Sequence, residues 1–340
     1  MRAERKGAGL NTAAATLAEP RLSRSDQLQP ALLLAAIGVG LALGRVAPGI
    51  SDTAGAAVSV GVFTLITLVM INVNPRNVAT TFARKRFLAA AVGLNFVVNP
   101  LVAWGLGAAF LGGHPALRIG LILFLVTPCI GWYLIFTELA GGDTELGVGL
   151  LGINVVLQIA LLPLYLAVFV GDSGTIALST ILESVGLYLA LPALVAGVIR
   201  HQWSSRGRVA EDEQQRWRVS ALKTGSLAAV IVAMFASQSE TLFDDVGAIR
   251  HLIVPMVLFF AFTFVMALLV AHRLGLPHDQ AALLVFTTTS RNSEASLAIA
   301  ATAFASPLVA LTVAIGPVIE LPLLVLMART LRQRAPAPGG

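Results

Sequence analysis

The sequence predicts an all-α integral membrane protein of ten transmembrane helices, arranged as two inverted five-helix repeats with a broken helix in each half. Three observations predict it. Of 340 residues 56% are hydrophobic and only 12% are charged, against about 25% charged in soluble domains. Apolar windows of roughly 20 residues, enough to cross a core about 30 Å thick, recur along the chain. The polar intramembrane stretches fall at matching places in the two halves. Thirty-one Gly and sixteen Pro are scattered through the apolar stretches, where neighbouring helices can re-satisfy freed backbone groups.

Taken in order, the spans are placed at 31–49, 55–75, 86–111, 116–138, 146–170, 176–199, 223–240, 250–272, 279–304 and 307–329. Residues 1–30 are polar and rich in Ala, Ser and Arg, without the apolar core of a secretory signal, and read as a disordered cytoplasmic arm. The first repeat is 31–171 and the second 172–330, with a mixed-charge cytoplasmic linker at about 200–222 and a flexible tail at 331–340. Cytoplasmic loops hold most Lys and Arg in multi-pass proteins. With both termini inside, only Arg45, Arg118 and Arg250 fall outside and Arg291 within a span, and the other Lys and Arg lie on the cytoplasmic face. The net charge of +5 is therefore a topology signal rather than a nucleic-acid footprint.

Several function classes are excluded. One cysteine rules out a disulfide framework, a thiolate metal cage and an iron–sulfur cluster. The five His, at 114, 201, 251, 272 and 278, have no metal spacing. No Gly-rich phosphate loop precedes a Lys, and no base, nucleophile and oxyanion donors can be assembled from the spans. No enzyme, cofactor or resident metal is expected.

Five spans per half force the halves into opposite orientations, the geometry of inverted-repeat transporters, whose sites lie at midplane where helices are interrupted. In the first half "LVTPCIGWY" is broken at Pro128, which lacks a helical donor and biases Thr127 away from the α region. In the second half "FTTTSRNSEAS" carries nine polar residues between Thr287 and Ser296. Cys129 and Arg291 are 162 residues apart, and so are Gln158 and Glu320 in the following helices. A charge at the bilayer centre costs at least about 2.5 to 3.5 kcal/mol, which directs attention to Arg291, Glu294 and Glu320. Burial favours a protonated carboxyl, so Glu320, with Glu294, is the candidate proton carrier, and Arg291 the group that holds one of them ionised. Asn95, Asn99, Asn154 and Gln158 are intramembrane amides that either line a pathway or join helices. Thr127 and Ser290 flank the breaks and offer hydroxyls and freed carbonyls.

The stretches "RFLAAAVGLNFVVNPLVAWGLGAAFL", "PCIGWYLIFTELAGGD", "NVVLQIALLPLY", "FASQSE", "FTTTSRNSEASLAIA" and "GPVIELPLL" together resemble the arsenical-resistance permeases, the arsenite-exporting branch of the bile acid:sodium symporter superfamily. The resemblance implies a panel domain and a core domain whose fourth and ninth helices unwind and cross. It assigns the functional thiol to Cys129, the ninth-helix motif to Arg291, Asn292, Ser293 and Glu294, and the tenth-helix Gly-Pro-x-x-Glu to Gly316, Pro317 and Glu320, with Pro317 a second helix break. Two departures stand out: Pro128 replaces an Arg before the cysteine, and Arg291 replaces an Asn. The guanidinium lost from one break is expected to be regained on the other. Trivalent arsenic is thiophilic, and a helix N-terminus favours thiolate, so Cys129, with Thr127, Ser290, Arg291 and Asn292, forms the expected substrate site.

The function this implies is arsenite or antimonite efflux by proton antiport across the cell membrane, with arsenic(III) as substrate. The alternative is a sodium-coupled symporter of organic anions, with Arg291 on a substrate carboxylate. A reading from another class is a membrane sensor that binds ligand without moving it.

Overall fold

The computed structural model describes residues 81–169 apart from Gly131, 186–205, and 246–334 apart from position 305, with scattered positions within 35–71 and 179–239. The expected arm at 1–30, most of the span at 55–75, the linker at 206–221 and the tail at 335–340 lie outside the described residues. Among the described residues the chain is helical and has no strand. The elements are α1 (Lys85–Phe110), α2 (Pro115–Leu125), α3 (Trp132–Leu139), α4 (Thr144–Phe169), α5 (Leu191–Ser205), α6 (Val246–Arg273), α7 (His278–Thr289), α8 (Ser293–Ala303) and α9 (Pro307–Gln333).

Four of these runs are long and apolar enough to cross a bilayer: Lys85–Phe110, Thr144–Phe169, Arg250–Arg273 and Pro307–Gln333. At about 1.5 Å per residue, a 26-residue helix such as α4 reaches past the hydrocarbon core. Their outer faces expose Val156 (66%), Val168 and Leu326 (62%), side chains that match lipid rather than water. The protein is a helical integral membrane protein.

Proline shapes α1. Pro100 has no N–H to give Phe96 four residues back, and the helix widens there into a π-helical turn, Leu94–Val98. The Phe96 carbonyl is instead satisfied by the Tyr165 hydroxyl of α4. This ties α1 to α4 and leaves Asn95 and Asn99, four apart, on the buried face of α1.

The span expected at 116–138 is two helices, α2 and α3, and that expected at 279–304 is α7 and α8. α3 ends at Gly141, whose φ of 75° suits a residue without Cβ, while Gly142 N–H closes back on Thr137 O at 2.8 Å. The turn that follows docks on the start of α7: Asp143 N–H donates to Asp279 O at 3.1 Å, and His278 Nε2 lies 3.0 Å from Ala140 O. The sequence assigns both segments to the same membrane face. His114 and His251, assigned to the opposite face, also meet, with ring centroids 4.6 Å apart.

α2 and α9 pack closely at the centre. A Cβ on Gly120 would stand 2.7 Å from Val309 O, so only glycine permits this approach. Pro317 corrects the sequence reading: α9 continues through Pro317 and Pro322. A proline removes one intrahelical donor, and a helix packed among other helices keeps its course without it.

Gly120→Leu is predicted to force α2 from α9 and to cost about 1–3 kcal/mol by overpacking. Gly113→Ala, into open space, should leave the melting temperature of the purified protein unchanged. Equal melting of Gly120→Leu and the parent would refute this packing.

Candidate functional site

The two breaks touch. Pro128 and Arg291 form an isolated antiparallel β-bridge, flanked by Cys129 N–H donating to Ser290 O at 3.1 Å and Asn292 N–H donating to Thr127 O at 2.9 Å. In such a non-hydrogen-bonded pair the N–H groups of the two facing residues point away from the partner strand. Pro128 has none to satisfy, which is why a proline is accommodated at this point. Arg291 has one, and it donates to Glu320 Oε1 of α9 at 2.8 Å.

Local chemistry shapes each break. α2 stops where the Thr127 hydroxyl folds back on the Leu123 and Phe124 carbonyls at 3.1 and 2.9 Å; the same hydroxyl meets Ser296 Oγ of α8 at 2.6 Å. α3 restarts with Cys129 as its cap, since Cys129 Sγ accepts Trp132 N–H at 3.1 Å. α7 ends at Ser290, whose ψ of 139° is extended. α8 begins at Asn292, whose Oδ1 accepts Ala295 N–H at 3.1 Å, the work of an N-cap side chain.

The Arg291 side chain is fully buried. Its Nη1 donates to Leu125 O at 2.9 Å, Nη2 to Asn95 Oδ1 at 3.2 Å and to Thr288 O, and Nε to Thr289 O at 3.4 Å. Its Cζ lies 5.5 Å from the ring centre of Phe259 on α6. Leu125 ends α2 and Thr289 ends α7. The cation therefore sits on carbonyls that a helix C-terminus leaves without intrahelical donors.

Asn99 Nδ2 donates to Thr288 O at 2.9 Å and to Asn95 Oδ1 at 3.4 Å. The Thr287 hydroxyl accepts from both Asn95 Nδ2 (3.4 Å) and Asn154 Nδ2 (3.1 Å). One set of polar side chains thus joins α1, α4, α7 and the crossing. Some buried polar atoms of this set and of the neighbouring Gln158 have no partner among the described residues: Asn154 Oδ1, both amide atoms of Gln158, Ser290 Oγ and Asn292 Nδ2. Unpaired buried polar groups of this kind cost about 1–3 kcal/mol each, and a polar guest relieves that cost.

The structure brings Thr127, Pro128, Cys129, Ser290, Arg291, Asn292, Glu320, Asn95 and Asn99 to the crossing, and links Asn154 through Thr287. Gln158 is buried one turn along α4. Glu294 falls in the first turn of α8, and its side chain lies outside the described residues. Glu320 meets Arg291 in two ways: its Oε1 accepts the Arg291 main-chain N–H, and its carboxylate acts on the guanidinium through space, as the charge-pairing expectation has it. Phe259, Ser296 and the Leu125 carbonyl join the site without having been singled out. Phe259 sits in an apolar run, and a carbonyl has no sequence signal.

Two interrupted helices crossing in a buried polar junction, inside a chain whose long helices face lipid, define a membrane transporter rather than an enzyme. The chain belongs to the sodium bile acid symporter family, whose pattern matches residues 59–245. It is also similar to the arsenical-resistance protein Acr3 of Corynebacterium glutamicum, with 28% identity over 332 residues that cover 91% of this chain and 90% of that protein. This agrees with the arsenical branch to which the motifs point.

Glu320→Gln keeps an acceptor for the Arg291 N–H, and Glu320→Leu removes it. The Leu variant is expected to be less stable than the Gln variant by about 1–3 kcal/mol, the cost of an orphaned buried donor, as read from denaturant or thermal unfolding in detergent. The same stability for both would contradict the Glu320 bond.

Proposed function

We propose that this chain exports trivalent arsenic, as arsenite or the antimony counterpart, across the cell membrane in exchange for protons. In this reading ten spans form two inverted repeats with both termini cytoplasmic. The observation that carries it is the position of Cys129: the single thiol of the chain lies beside the helix crossing and caps α3 through Trp132 N–H. Soft trivalent arsenic favours sulfur.

Arsenous acid is neutral and carries three hydroxyls, which can donate to Asn154 Oδ1 and Gln158 Oε1 and accept from Asn292 Nδ2, atoms without a partner among the described residues. The thiol and arsenous acid condense by forming As–S and breaking one As–O bond. The thiol proton leaves with that hydroxyl as water, and arsenic remains trivalent. A single As–S bond is reversed by one water on the far side, as a carrier requires. Cys129 is 1% exposed, so loading belongs to a state in which the crossing has opened to one face.

Glu320 is the proposed proton carrier. It is 2% exposed, and it keeps its bond to Arg291 N–H in either protonation state, because Oε1 accepts while Oε2 carries the proton. Proton cycling then leaves the crossing intact. Sodium-coupled symport of an organic anion is a second reading, which membership of the symporter family favours. The engagement of the Arg291 guanidinium with Leu125, Thr288, Thr289 and Asn95 weighs against its pairing with a substrate carboxylate.

Everted vesicles containing the protein are expected to accumulate arsenite under an imposed proton gradient. Cys129→Ala should lower uptake at least tenfold, and Glu320→Gln should abolish its dependence on the gradient. Accumulation unchanged in Cys129→Ala would sink the thiol mechanism; none in the parent chain would sink the substrate.

A further inference from the structure

Arg291 carries a permanent charge at a fully buried point of the molecule. The hydrogen-bond acceptors of its guanidinium are oxygens of neutral groups, Leu125 O, Thr288 O, Thr289 O and Asn95 Oδ1, while the Glu320 carboxylate and Cys129 act on it through space. Leu125 is the last residue of α2, and Thr288 and Thr289 are the last two of α7. Each helix C-terminus carries the equivalent of about half a negative charge, so two half-helices converge on one cation. The face of Phe259 closes the cage from α6 at 5.5 Å, a further attraction for positive charge.

Carbonyl and amide oxygens at the C-terminal ends of broken helices are also the donor set with which transporters hold a monovalent coupling ion. We propose that Arg291 is a tethered cation: its guanidinium fills the place of a coupling ion at the crossing, so this protein neither binds nor needs sodium there. The proposal rests on the transporter reading above but not on its substrate. The positive charge joins α2 to α7 across the breaks, and it remains bound through the whole cycle. Coupling must then come from a group that gains and loses its charge, which is the part given to Glu320.

A cage built for a cation and emptied of it should accept a replacement. The test is thermal melting of the purified full chain, without arsenite, in matched sodium, potassium or choline chloride and with millimolar guanidinium added to choline. The parent protein should melt at one temperature in sodium and choline. Arg291→Ala should melt lower in choline and regain about 5 °C or more with sodium, potassium or guanidinium, since a ligand that binds only the folded state stabilises it. Arg291→Lys keeps a charge in the cage and should be as insensitive to the salt as the parent. Sodium-specific stabilisation of the parent or of Arg291→Lys would overturn the proposal. An Arg291→Ala protein that no cation stabilises, or that no cation allows to be recovered folded, would overturn it equally. No substrate is present, so failure here leaves the arsenite reading standing, and failure of arsenite transport leaves this result standing.

Discussion

Everything at the centre of this molecule depends on how two helix ends are kept together in a place without water. Breaking α2 from α3 and α7 from α8 frees carbonyl and N–H groups inside the bilayer, where each unsatisfied group costs several kcal/mol. The breaks satisfy each other through the pair of bonds around Pro128 and Arg291, and the carbonyls of Leu125, Thr288 and Thr289 at the ends of α2 and α7 are satisfied by the Arg291 guanidinium. An ion–dipole contact of this kind is short-ranged and directional. It fixes the position of the Cys129 backbone, bonded to the residue before Arg291, and of Glu320, bonded to Arg291 itself.

The exchange of Pro128 for an arginine and of Arg291 for an asparagine, relative to the arsenical-permease motifs, acquires a physical sense in this light. The N–H groups of this facing pair point outward and take no part in the bridge, so proline is permitted on one side. Gln158, offset from Glu320 by the same 162 residues as Cys129 from Arg291, has both amide atoms unpaired among the described residues. The crossing is thus asymmetric: Arg291 gives its outward N–H to a carboxylate, and Pro128 has no N–H to give.

Much of the fold was legible in the sequence because lipid imposes a severe filter on composition. Helices Lys85–Phe110 and Thr144–Phe169 follow the apolar windows at 86–111 and 146–170 closely. Pro128 and the polar run from Thr287 announced the breaks for the same reason, since such residues are tolerated at midplane only where something satisfies them. Pro317 misled, because a proline inside a packed membrane helix removes one bond without ending the helix. Phe259 and Tyr165 were hidden among similar aromatics in apolar runs, and their parts at Arg291 and at the Phe96 carbonyl depend on which helices become neighbours. The main-chain partners of Arg291 have no residue code to be read.

The most direct test of the central claim uses the fact that Cys129 is the single thiol of the chain. The rate at which a small membrane-permeant maleimide alkylates Cys129 in native membranes should fall several-fold when arsenite or antimonite is present and should be unaffected by arsenate, a pentavalent anion without the same affinity for sulfur. An alkylation rate that is the same with and without arsenite would place the substrate elsewhere and contradict a site built on the helix crossing.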